Sequence, residues 1–183
     1  SGNLAASSVE TLVGADGTDV VTMLGAATSR VSLVETVLGS AGTDVITVAG
    51  GGAVATSLVE TVLGTTASDD SVNMLSGGTL ATSALESIVG TSGTGDVARL
   101  LGAGSTSLSA IETVVGSSGT DTVSMIAAGN LSTSAVETVA GSEGTDVVTQ
   151  LGGGAMRVTA VETVLGGTGT DSVTMLSSGD LAV

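Results

Sequence analysis

The chain has 183 residues, 42% of them hydrophobic, a formal net charge of −15, and no Pro, Cys, His, Trp, Tyr or Phe. Those absences exclude disulfide frameworks, thiolate and imidazole metal sites, His- or Cys-based nucleophile–base pairs and aromatic platforms for stacking bases. Eighteen acidic residues against three basic ones (Arg30, Arg99, Arg157) would repel nucleic acid and anionic lipid.

Self-similarity dominates everything else. A Glu recurs at 10, 35, 60, 86, 112, 137 and 162, at steps of 25 or 26 residues. An Asp keeps register with it at 19, 44, 70, 96, 121, 146 and 171, and a Gly stands four residues after each Glu. The two longer steps come from one extra residue between that Gly and the Asp, in 64-GTTASDD and 90-GTSGTGD. Only Asp16, Asp69, Glu143 and Asp180 lie outside the two acidic columns.

In chain order, each unit opens with an aliphatic run around the Glu. Val9, Val34, Val59, Leu85, Ile111, Val136 and Val161 precede it. Leu12, Val37, Val62, Ile88, Val114, Val139 and Val164 stand two after it. A Gly-rich turn follows, then a run starting at the Asp with Val21, Ile46, Val72, Ala98, Val123, Val148 and Val173 two residues on. A second glycine-rich turn, such as Gly50–Gly52 or Gly152–Gly154, leads to a third run. Its column, ten after the Asp, is Val54, Leu80, Leu131, Met156 and Leu181, with Ser29 and Thr106 as exceptions. Met23, Met74, Met125 and Met175 read as core filler. β-Branched residues in runs this short predict strands, and nothing keeps a helical period for the length a helix needs. The expected fold is all-β: a parallel β-solenoid of seven coils, one unit to a coil, forming a single repeat domain over 1–183. No span of about 18 apolar residues exists to cross a membrane. No leader is visible, and Ser1-Gly2 reads as a cloning remnant, so the chain is expected to be a piece of a longer repetitive protein.

Strand alternation leaves one question open. In Leu33–Leu38, placing Val34 inward also turns Thr36 and Leu38 inward and sends Glu35 and Val37 outward. The position five after each Asp also points outward: Leu24, Ala49, Leu75, Leu101, Ile126, Leu151 and Leu176. Either a bulge or corner resets the alternation, or an outer aliphatic ladder is covered by another chain.

The segment 166-GGTGTDSVT fits the spacing G-G-x-G-x-D-x-U-x, and 14-GADGTDVVT, 39-GSAGTDVIT, 116-GSSGTDTVS and 141-GSEGTDVVT depart from it at the second Gly. This resembles the calcium-binding nonapeptide of RTX (hemolysin-type) repeat proteins. The resemblance covers about nine residues in each unit, and each unit holds one nonapeptide where the family's β-roll runs them in tandem. It implies Ca2+ along one edge, at Asp19, Asp44, Asp121, Asp146 and Asp171. The loops would be built on Gly14, Gly17, Gly39, Gly42, Gly116, Gly119, Gly141, Gly144, Gly166 and Gly169. Asp70 and Asp96 follow the inserted residue and match less well. Calcium takes six to eight oxygens in a forgiving geometry. An ion between stacked Asp residues would also relieve their repulsion, roughly 0.9 kcal/mol per pair at ~4.8 Å in water. The competing reading is that G-x-x-G-T-D is simply a turn, with Asp bonding nearby amides.

The expectation for function is a structural or adhesive scaffold segment of a secreted bacterial surface protein, extracellular, with calcium stiffening one edge. The alternative is a self-assembling module that builds a filament or coat through outer aliphatic ladders and open solenoid ends, without calcium. Expected partners are further copies or neighbouring repeats. Nucleic acid and membrane insertion are not expected, and a carbohydrate or mineral surface is left open. Seven near-identical units without an aromatic residue give no singular pocket, so no enzyme is expected.

Overall fold

The structure is a computed structural model and describes residues 1–66 and 69–177; Asp180 and Leu181 lie outside them. It is an all-β parallel solenoid built from two sheets. The odd strands form one sheet: β1 Gly2–Ala6, β3 Asp19–Met23, β5 Thr36–Leu38, β7 Gly52–Ser57, β9 Asp70–Met74, β11 Ser87–Val89, β13 Gly104–Ser109, β15 Asp121–Met125, β17 Thr138–Ala140, β19 Gly152–Thr159 and β21 Thr168–Met175. The even strands form the other: β2 Thr11–Val13, β4 Thr28–Ser32, β6 Val45–Val48, β8 Thr61–Leu63, β10 Thr79–Ser83, β12 Val97–Leu100, β14 Thr113–Val115, β16 Asn130–Ser134, β18 Val147–Gln150 and β20 Thr163–Leu165.

Each strand pairs in parallel with the next but one, so a coil is two strands and the chain makes about ten coils, not seven. Each 25-residue unit supplies three strands, one and a half coils. Successive units therefore begin on opposite sheets. The same position returns to the same sheet only after two units: Asp19 to Asp70 is 51 residues and three coils, β3 to β9. At ~4.8 Å per strand, the eleven-stranded sheet is about 50 Å long.

The core fills the space between the sheets and reflects the sequence columns. Val37, Ile46, Val62, Ile88, Val114, Val123, Val139 and Val148 have no exposed surface. Ser29 and Thr106, the two apolar-column exceptions, are buried as well. Ser29 satisfies its hydroxyl by donating to the Val9 carbonyl at 2.5 Å. Met23 and Met74 are core residues, Met125 packs against the core, and Met175 on the last described strand is exposed.

The run around the Glu is not one strand. Leu33 has φ 54°, a left-handed corner, and β5 begins only at Thr36. Val34 and Val37 both point inward while Thr36 and Leu38 face out. The corner reset is thus the answer for this run. It recurs in every unit: Ser8, Leu58, Ala84, Ala110, Ala135 and Ala160 all have φ between 51° and 54°. At the position five after each Asp the outcome differs. Leu24, Leu75, Leu101, Ile126, Leu151 and Leu176 are exposed, and Ala49 is buried. They are split between two corners, so same-sheet members stand three coils apart, about 14 Å, and form no continuous ladder.

Candidate functional site

The carboxylates gather where the strands begin. Because the unit and the coil are out of step, like residues do not stack. On the odd sheet successive coils present Gly2, Asp19, Glu35, Gly52, Asp70 and Glu86, and the cycle then repeats. The nearest same-edge Asp is three coils away, about 14 Å, where a unit-per-coil solenoid would have put it at ~4.8 Å. The ion ladder shared between stacked Asp residues therefore has no counterpart in the described residues. No group of three or more acidic residues comes together there as a metal centre either. The structure places Asp19, Asp70, Asp121 and Asp171 on the odd edge and Asp44, Asp96 and Asp146 on the even edge.

What does come together is each Asp and the Glu of the next unit, on neighbouring coils. The Asp44 backbone N–H donates to Glu60 Oε2 at 2.7 Å. The same bond joins Asp19 to Glu35, Asp70 to Glu86, Asp96 to Glu112, Asp121 to Glu137 and Asp146 to Glu162, at 2.6–2.8 Å. The Asp side chain turns inward and takes amides of its own. Its Oδ2 accepts the N–H of the residue after the recurrent Gly: Ala15, Ser40, Thr65, Thr91, Ser117 or Ser142, at 2.5–2.7 Å. Where that residue is Ser or Thr, as at Ser40, Thr91 and Ser117, its hydroxyl reaches the same oxygen. Ionised acceptors on backbone N–H groups make bonds roughly twice as strong as neutral ones. Each Asp–Glu pair thus clamps a turn to itself and one coil to the next.

The two glycines of the loop have reasons of their own. A Cβ on Gly39 would land on the carbonyl of Leu58, the left-handed corner residue of the adjacent coil; Gly14, Gly64, Gly90, Gly116 and Gly141 face their corner carbonyls in the same way. Gly17, Gly42, Gly144 and Gly169 have φ between 103° and 121°, which side chains rarely adopt. At Gly119 a Cβ would meet Ala103 Cβ instead, and at Gly166 it would meet Asp171 Oδ2 at 2.7 Å. Coil packing and turn geometry account for the repeated spacing without an ion.

No family model, curated protein or solved structure matches this chain. The likeness to RTX repeats thus stands on residue spacing alone.

The two edges are not equivalent, and the sequence reading missed this. On the even edge the second carboxylate oxygen is filled. Ala27, Gly78 and Gly129 donate their N–H groups to Oδ1 of Asp44, Asp96 and Asp146 at 2.9–3.2 Å. On the odd edge the residues in the same place are Gly52 and Gly104. They donate instead to the carbonyls of Asp69 and Thr120. Oδ1 of Asp70, Asp121 and Asp171 is consequently buried with no hydrogen-bond partner. At Asp19, the terminal ammonium of Ser1 stands 3.7 Å from the corresponding oxygen. For Ca2+ the even edge is a poor fit, because N–H groups already point at both oxygens. The odd edge offers one free oxygen at each of Asp70, Asp121 and Asp171, and no second carboxylate from an adjacent Asp.

Proposed function

We propose that this chain is a structural scaffold, a stiff solenoid segment of a secreted bacterial surface protein whose coils are held by internal carboxylate-to-amide clamps. The observation that carries the reading is the repetition of one clamp along both edges, with the Asp and Glu carboxylates spent on backbone N–H groups. Residues committed in this way are unsuited to binding and turnover. They suit a rod whose job is shape. A ten-coil segment about 50 Å long adds reach and rigidity to whatever it joins.

The free Oδ1 atoms of the odd edge favour a second reading, in which Ca2+ binds at Asp70, Asp121 and Asp171 and leaves Asp44, Asp96 and Asp146 to their amides. Circular dichroism and thermal melting in EDTA and under calcium titration, with magnesium as control, separate the two. The clamp reading expects a folded protein in EDTA with a melting temperature that calcium leaves unchanged. A chain disordered in EDTA overturns it. A fold that persists in EDTA but melts higher with calcium selectively supports ions on the odd edge.

A further inference from the structure

The chain is strongly acidic, yet the outer faces of its two sheets are not. Among the described residues, no strand side chain that points away from the core is acidic. All three arginines lie on these faces: Arg30 on β4, Arg99 on β12 and Arg157 on β19. The two faces also differ from each other. The even sheet carries two arginines and the larger side chains Val13, Leu63 and Leu165. The odd sheet carries Arg157 and, at outward positions, Val20, Leu38 and Val89, and beside these runs a band of small side chains. Ala53, Ser71, Ser87, Ser107, Ser124 and Ala140 are register partners on successive strands β7 to β17 and form one continuous row of small uncharged side chains. Beside that face, at the C-terminal corner of the same sheet, stand Leu24, Leu58, Leu75, Ile126 and Leu176, each 50–64% exposed.

We propose that the outer face of the odd sheet is a docking surface for a second copy of this chain, sheet on sheet. Sheets stack face to face at about 10 Å, and small side chains allow that approach over a long front. The face measures about 50 Å by about 13 Å, or roughly 650 Å² per copy, so a symmetric pair covers roughly 1,300 Å², within the range of a standard specific interface. The partner's own odd face supplies the matching surface, as an isologous contact requires. Charge selects this face over the edges: two copies of net charge −15 keep their carboxylate edges in solvent and meet on a face whose described outward strand residues include no acid and one cation, Arg157. The remaining repulsion between copies is screened by salt, so association strengthens as ionic strength rises. This inference goes beyond the scaffold reading and does not depend on the ion question.

Sedimentation equilibrium of the full chain, from micromolar to millimolar and from 0.05 to ~0.5 M NaCl, tests it. The expected result is a monomer–dimer equilibrium that tightens with salt. Ser107→Glu puts a charge on the row in both copies and is expected to weaken association at least ~10-fold, an energy of about 1.4 kcal/mol. Ala81→Glu, on the outer face of the even sheet, is expected to leave it unchanged. Ser124→Glu, in the same row, replaces Ser107→Glu if circular dichroism shows that the latter unfolds. A monomer throughout, or a larger effect from Ala81→Glu than from the row variants, overturns the proposal. A monomer that keeps its fold in EDTA would do so while leaving the scaffold reading intact.

Discussion

The inequivalence of the two edges makes a sharp prediction from one kind of substitution. Asp96 and Asp121 are neighbours in the repeat, both central and both fully buried. Asp96 accepts backbone N–H groups on both oxygens, from Thr91 at 2.7 Å and Gly78 at 3.2 Å. Asp121 accepts the Ser117 N–H at 2.6 Å and the Ser117 hydroxyl at 2.9 Å on one oxygen, and nothing on the other. In Asp96→Asn the new NH₂ must face one of two N–H donors. A buried donor without an acceptor costs about 1–3 kcal/mol, and loss of the ionised acceptor adds about 1 kcal/mol. In Asp121→Asn the amide oxygen takes over the Ser117 bonds and the NH₂ occupies the side where no donor stands, so no bond is lost and only the charge assistance of the Ser117 bonds goes, about 1 kcal/mol. Both variants remove one negative charge, so general charge effects cancel in the comparison. Asp96→Asn is expected to be less stable than Asp121→Asn by about 1–3 kcal/mol. With no Trp, Tyr or Phe to report by fluorescence, the assay is urea unfolding followed by far-ultraviolet circular dichroism, read at matched m-values. Equal destabilisation, or the reverse order, would refute the alternation of filled and free oxygens.

Two further predictions follow from packing. Gly116→Ala drives a Cβ into the Ala135 carbonyl, whereas Gly129 has open space around its Cβ position and is matched in register by Ala27. Gly116→Ala is expected to lower stability by about 3 kcal/mol and Gly129→Ala to leave it nearly unchanged, measured as paired urea midpoints. Ile88→Ala empties a site with no exposed surface and is expected to lower stability by about 2–5 kcal/mol. Ile126→Ala, at a corner with 57% exposure, should stay within about 0.5 kcal/mol in the same assay.

The strand-forming runs and the inward columns were legible because β-branched residues at fixed offsets leave little else for them to be. Asp+2 residues such as Ile46 and Val123 are core positions as alternation required. The pairing of a unit with a coil was not legible, because Thr36–Leu38 is a complete strand of three residues and looks like the tail of a longer one. A signal was present nonetheless. Met stands four after Asp19, Asp70, Asp121 and Asp171, while Val48, Leu100 and Gln150 take that place in the units between. A period of about 51 residues was therefore written in the core. The left-handed corners at Leu33, Leu58 and Ala110 carried no such sign, since neither Leu nor Ala favours positive φ; the surrounding coils impose it. The loop glycines were visible, but their spacing suited a turn and an ion loop equally. Only the neighbouring coil's carbonyl shows why Gly116 and its counterparts must be glycine.

The half-coil offset between unit and coil gives repeat number a parity. Inserting or deleting one unit changes the length by one and a half coils, about 7 Å, and turns everything beyond it through half a revolution about the long axis. Two units add about 14 Å and restore the original facing. Copy-number drift in such an array is therefore more than a change of reach. Odd changes swap which flank a distal segment presents, and even changes preserve it. A lineage, or a designer, that needs a fixed facing must count its repeats in pairs.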